Sequence, residues 1–166
     1  MGTGVEASTD SKLVNLYAAI SVGGTRLFVA QNEIRSLEPA VDLDLDEPPL
    51  AGVGWITFGG CDWPVYCLAG DLSPSSELPV ARRVCILLNA HQGYFGLMCD
   101  RLEVISENRL QPVPLQAIMR AAHTPVQALA LYEGAPGFVI SASGLLAFLD
   151  FCAGDGDGQA QSAPSH

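Results

Sequence analysis

Histidine, cysteine and clustered carboxylates are the residue types here that could do chemistry, and their spacing decides whether they do. Histidines stand at His91, His123 and His166. Nucleophilic catalysis needs a Ser or Cys within hydrogen-bond reach of a base that a third group orients. His91 sits beside Gln92-Gly93 in what reads as a hairpin turn, His123 precedes Thr124-Pro125 in a loop, and His166 is terminal. All three read as solvated histidines. Cysteines stand at Cys61, Cys67, Cys85, Cys99 and Cys152. Cys61 and Cys67 fall on one face of a strand by period-two counting, and Cys85 and Cys99 inside other strands, where thiols behave as small, buried hydrophobes. No metal-ligand spacing connects them, so no metal and no cofactor is expected.

Asp42, Asp44, Asp46 and Glu47 alternate with Val41, Leu43 and Leu45. Alternation of this kind suggests an edge strand or loop with a solvated acidic face, not a paired-carboxylate site. The run 154–158 alternates Gly and Asp but lacks the closing Glu of a calcium loop. Nucleophile elbows, phosphate loops and dinucleotide fingerprints are absent; Gly52-Val53-Gly54 comes nearest and has no third glycine at the required spacing. Catalysis is not expected. A thiol-based redox function at Cys61 or Cys67 is not expected, because thiols buried in strands are inert.

The elements that must position these residues read as short strands. Residues 13–22 make a first strand, Gly23-Gly24 a tight turn and 26–30 the return strand. Residues 31–37 include a helical turn ended by Glu38-Pro39. Segments 55–58, 63–68, 84–88, 94–99 and 126–132 follow as strands, and 138–142 pairs back across a turn at 134–137. Residues 115–122 and 143–151 look helical, the second with Ser143 as N-cap, an apolar face of Leu145, Leu146, Phe148 and Leu149, and a stop at Gly154. No internal repeat is evident. The expected class is all-β with short helices, a sandwich or barrel architecture. Residues 1–11 read as a disordered lead-in, 12–152 as one folded domain and 153–166 as a flexible tail.

Composition limits the partners. Charged residues are 16% of the chain, yet the formal net charge is −10. An acidic balance with only Arg82-Arg83 adjacent argues against nucleic acid and against anionic membrane surfaces. No apolar run reaches the ~18 residues a membrane span needs. Residues 1–10 lack the pattern of a secretory signal, and an odd number of unpaired cysteines suits reduced thiols, so a cytoplasmic location is expected. Few charges and a positive mean hydropathy suggest apolar surface that a partner covers.

Against that background the order of blocks over 13–151 resembles the CheW family of chemosensory scaffolds. Ile34-Arg35-Ser36-Leu37 resembles the family's short Val-x-Glu-Ile-like turn of helix. The stretch 54–68 resembles its Gly-x-x-Asn-Leu-Arg-Gly motif with following Pro and Asp-Leu: Gly54, Gly60, Pro64 and Leu68 are in place. Residues 84–88 and 94–100 resemble its strand, hairpin and Val-Gly-x-x-Val-Asp block. Residues 110–114 resemble a Pro-rich link, and 144–148 its closing helix. The resemblance implies two intertwined five-stranded β-barrels with a short C-terminal helix. It also implies a non-catalytic adaptor that couples methyl-accepting chemoreceptors to a CheA-type histidine kinase, in chemotaxis or in pilus-driven surface motility.

Three family charges are missing: Ser36 stands for a Glu, Gly59 for an Arg and Cys67 for an Asp. Losing both signs at Ser36 and Gly59 avoids an unpaired charge and suggests a remade surface. Ile34, Ser36, Leu37, Trp55, Phe58, Gly59 and Gly60 are the expected partner-binding residues. Trp55 and Trp63 suit either an interface anchor or the core. The alternative reading is the same fold recruited to bind an unrelated protein or to self-associate.

Overall fold

In the computed structural model the described residues are 15–113 and 124–162, with side chains described to Gly154. Among the described residues eleven strands precede one α-helix: β1 (Leu16–Val22), β2 (Thr25–Ala30), β3 (Ile34–Pro39), β4 (Gly54–Phe58), β5 (Cys61–Tyr66), β6 (Val84–Asn89), β7 (Tyr94–Cys99), β8 (Arg101–Ser106), β9 (Gln111–Val113), β10 (Val126–Tyr132), β11 (Ala135–Ile140) and α1 (Ala142–Ser162). The expected helix over 115–122 and His123 lie outside the described residues.

The chain forms two curled sheets, of order β8-β1-β2-β11-β10-β9 and β3-β6-β7-β5-β4. Five strands are expected in each barrel; among the described residues the first sheet has a sixth, the short β9. Both sheets repeat one pairing pattern: antiparallel, antiparallel, parallel, antiparallel. Each hairpin also lends its next strand to the other sheet, since β3 leaves β1–β2 to pair with β6, and β8 leaves β6–β7 to pair with β1. The units are therefore intertwined. A structural repeat exists that the sequence does not display, because backbone pairing can repeat while side chains diverge.

Burial explains why these residues make strands. Ile20, Val22, Leu27 and Val29 from the first sheet meet Ile86, Leu88, Phe95 and Leu97 from the second, and Leu145, Leu146 and Leu149 of α1 close the layer. On their other faces Ala19, Phe28, Ile105, Ala130 and Tyr132 fill the first curled sheet, and Ile56, Trp63, Val65, Cys85, Leu87 and Met98 the second. Strands buried on both faces read as continuous apolar runs, as in Val84–Asn89. The hairpin turns Gly23-Gly24, Gly59-Gly60 and Glu133-Gly134 all have two residues at positive φ, the geometry that matches strand twist.

Four expectations need correction. Residues 34–37 are strand β3, and the helical turn lies earlier, at Gln31–Glu33. As a half-buried edge strand, β3 mixes charged with apolar residues and hides its period. The link over 110–114 contains β9, paired to β10. The helix cap is Ser141, whose Oγ accepts from Gly144 N at 3.0 Å, while Ser143 Oγ accepts from His91 N at 2.8 Å. Glu33 Oε1 adds a bond from Ala142 N at 2.7 Å, and α1 continues through Gly154 to Ser162.

The thiols divide sharply. Cys67, Cys85 and Cys99 are buried, but Cys61 is exposed beside the Gly59-Gly60 turn, so its expected burial fails at the strand end. Burial pushes the Cys85 and Cys99 thiols up to about 12 from 9.0. A thiol pKa raised by folding stabilises fully below the unfolded value and loses that contribution as pH climbs to the folded one. Stability is therefore expected to decline between pH 9 and about 12. Native-state labelling should modify Cys61 promptly and leave Cys85 and Cys99 untouched until unfolding; rapid modification of all three would contradict the layered core.

Candidate functional site

β3 meets the β4–β5 hairpin through Arg35 and Phe58, whereas Ile34 and Leu37 pair with Leu88 and Ile86 and lie on the face of β3 toward the central layer. The Arg35 guanidinium lies over the Phe58 ring, 5.1 Å from its centroid, and joins the two edges of the second sheet. Phe58 packs edge-on to Trp63 at 6.0 Å between centroids, and Trp63 lies 4.5 Å from the Tyr94 ring. Trp63 is buried and donates from Nε1 to the Phe58 carbonyl at 3.1 Å. Tyr94 is exposed, so an aromatic chain runs from core to surface. Leu37 is 48% exposed and Ile34 packs partly against the central layer.

Gly59 and Gly60 occupy the turn at φ +61° and +79°, and a Cβ at either would meet nothing within 4 Å. Space is free there, but the backbone favours glycine. Ser36 Oγ donates to Glu38 Oε2 at 2.6 Å, which fixes a carboxylate beside Ser36, and Arg35 supplies a cation next to Gly59 through Phe58. Sequence reasoning missed Arg35, Glu38 and Tyr94. The signal lay in Arg35 and Glu38 flanking Ser36-Leu37.

Trp55 does not join this group. It alternates with Ile56 and Phe58 along β4 and faces outward. Its Nε1 donates to the Glu47 carbonyl at 2.9 Å, and Asp44, Asp46, Glu47, Thr57 and Asp62 surround it in an open groove of about 310 Å³. Asp44 makes the backbone bridge to Trp55, which blocks the β4 edge as an acidic loop. Of the two tryptophans, then, Trp63 is core and Trp55 is half-buried at the surface.

No known family profile matches the sequence, and no curated protein matches it. Among solved structures, the scaffolding protein TtCheW from Thermoanaerobacter tengcongensis superposes with a TM-score of 0.61 at 19% identity, over 80% of this chain and 92% of that one. The fold is CheW-like. At this identity the likeness shows the fold alone, and it accounts for the paired curled sheets and the closing helix. Among the described residues no cluster of His, Cys, Asp and Glu could hold a metal, and no helix is long and apolar enough to cross a membrane.

Proposed function

We propose that this chain is a non-catalytic, cytoplasmic adaptor of the CheW type, which couples chemoreceptors to a CheA-type histidine kinase in chemotaxis or surface motility. The observation that carries this reading is the CheW-like fold over 80% of the chain. The β3 and β4–β5 surface supports it further. There Ser36, Phe58, Gly59 and Gly60 would form one contact face, with Arg35, Glu38 and Tyr94 added, Ile34 and Leu37 on the other face of β3 and Trp55 a separate contact. A partly buried aromatic flanked by an arginine is the composition that interface anchors favour.

Pull-down of the purified chain against the cognate kinase and receptors tests this. Arg35→Glu and Leu37→Ser alter exposed side chains, so each should weaken the complex at least about tenfold, roughly 1.4 kcal/mol, while thermal stability barely moves. Gly59→Arg should destabilise by about 1 kcal/mol because of its left-handed backbone. Capture of no kinase and no receptor by the unmodified chain would remove the reading. Recruitment of the same fold by an unrelated protein, or self-association, would then take its place.

A further inference from the structure

A second charged feature lies at the far unit, unconnected with the β3–β4 surface. In the first sheet Ser21 of β1 pairs with Arg26 of β2 on one side and with Arg101 of β8 on the other. Arg26, Ser21 and Arg101 therefore form one cross-strand row, with their side chains on a common face. Two residues along, the next row is Phe28, Ala19 and Glu103, so the face is the one that lines the inside of the curled sheet. The arginine row stands at its mouth, around an opening of about 290 Å³ lined by Ala19, Ser21, Arg26, Arg101, Leu102 and Glu103.

The groups at this mouth leave a cation unanswered. Arg26 lies over the Tyr132 ring at 5.5 Å and donates weakly to the Tyr132 carbonyl at 3.4 Å. Glu103 accepts from Tyr132 Oη at 2.8 Å, and Glu133 is paired with Arg109 at 3.1 Å. Among the described residues no ion pair or side-chain hydrogen bond engages the exposed Arg101 guanidinium. Arg26 and Arg101 flank β1 as two like charges, one on each side of Ser21. Three arginines face two glutamates here, in a chain of net charge −10.

We propose that the Arg26-Ser21-Arg101 row is a binding site for a carboxylate side chain on an acidic peptide segment of a protein partner. Each guanidinium offers a planar fork matched to a carboxylate, and Ser21 supplies a hydroxyl between them. Adjacent strands set neighbouring Cβ atoms about 5 Å apart, so the two forks can converge on one group over Ser21. The opening is at the small end of ligand pockets, which suits a side chain and not a nucleotide. Glu103 beside it disfavours a dianion, so a carboxylate is preferred over phosphate.

The test uses the full chain and amide resonances of residues 19–27 and 99–104. The probes are a capped Gly-Glu-Gly-Glu-Gly peptide, its glutamine counterpart and inorganic phosphate. Saturable shifts with the glutamate peptide alone are expected, weakened at least about fivefold by Arg101→Gln, less by Arg101→Lys, and reduced by salt. Arg101 is exposed and, among the described residues, makes no side-chain hydrogen bond or ion pair, so Arg101→Gln should keep the native spectrum elsewhere. Equal shifts with the glutamine peptide, no shift at all, or tighter binding of phosphate would overturn the assignment. Shifts that grow with protein concentration in the absence of peptide would give the site to a second copy, and would overturn it too.

Discussion

Asp100→Ala is expected to lower the unfolding free energy by about 4–5 kcal/mol, and Arg82→Met by about 3 kcal/mol, as measured by denaturant unfolding. Arg82 is the one charged side chain buried among the described residues. Its Nε lies 2.6 Å from Asp100 Oδ1, close as charges but poorly aimed as a hydrogen bond, and its Nη1 donates to Cys67 Sγ at 3.1 Å. Asp100 Oδ2 also accepts from Gly23 N at 3.0 Å, so the pair ties the β1–β2 turn of one unit to the β7–β8 junction of the other. The turn itself touches Gly70, where Thr25 Oγ1 donates to the Gly70 carbonyl and no room remains for a Cβ on Gly23.

The asymmetry between the two substitutions follows from exposure. Asp100 keeps 24% of its side-chain surface in water and Arg82 only 3%. An orphaned carboxylate can be hydrated in place. An orphaned guanidinium can neither reach water nor lose its proton. Combining Arg82→Met with Asp100→Ala should cost clearly less than the sum, because neither charge is then left alone. Strict additivity would show that the pair contributes nothing to joining the units.

Phe95→Ala is expected to destabilise by about 3–5 kcal/mol and to unfold in one transition. Phe95 is fully buried in the layer between the sheets and meets Tyr66 edge-on at 6.2 Å between centroids. Little can collapse into the space it leaves, since β6 and β7 are fixed by a six-residue antiparallel register and Gly96 already lies against Cys85 and Val65. The two sheets exchange strands and share this layer, so loss at the layer should weaken both together. Two separate transitions would mean that the units fold independently, against the exchange of β3 and β8.

Several elements were legible in the sequence because local chemistry dictates them. Gly23-Gly24 and Gly59-Gly60 mark turns that need positive φ, and the runs that became β6 and β7 are apolar enough to require burial on both faces. β3 and β8 were not legible as strands. Both are edges whose outer positions are charged or exposed, so their alternation is weak. Of the expected partner-binding residues, Phe58 meets Arg35 of β3 while Trp55 lies on the other face of β4, a separation that the sequence did not display because it depends on how β3 and β4 are placed.

Charge placement shows the division most clearly. The sequence by itself determined an acidic chain of short apolar strands and glycine turns, since composition and local periodicity act over a few residues. Adjacent Arg82-Arg83 looked like the one pair of neighbouring cations, yet Arg82 is buried against Asp100 while Arg83 is exposed. Arg26 and Arg101, far apart along the chain, share a face, placed on either side of Ser21 by strand register. Only the tertiary structure decided that, because sheet neighbours are set by long-range pairing and not by distance along the chain.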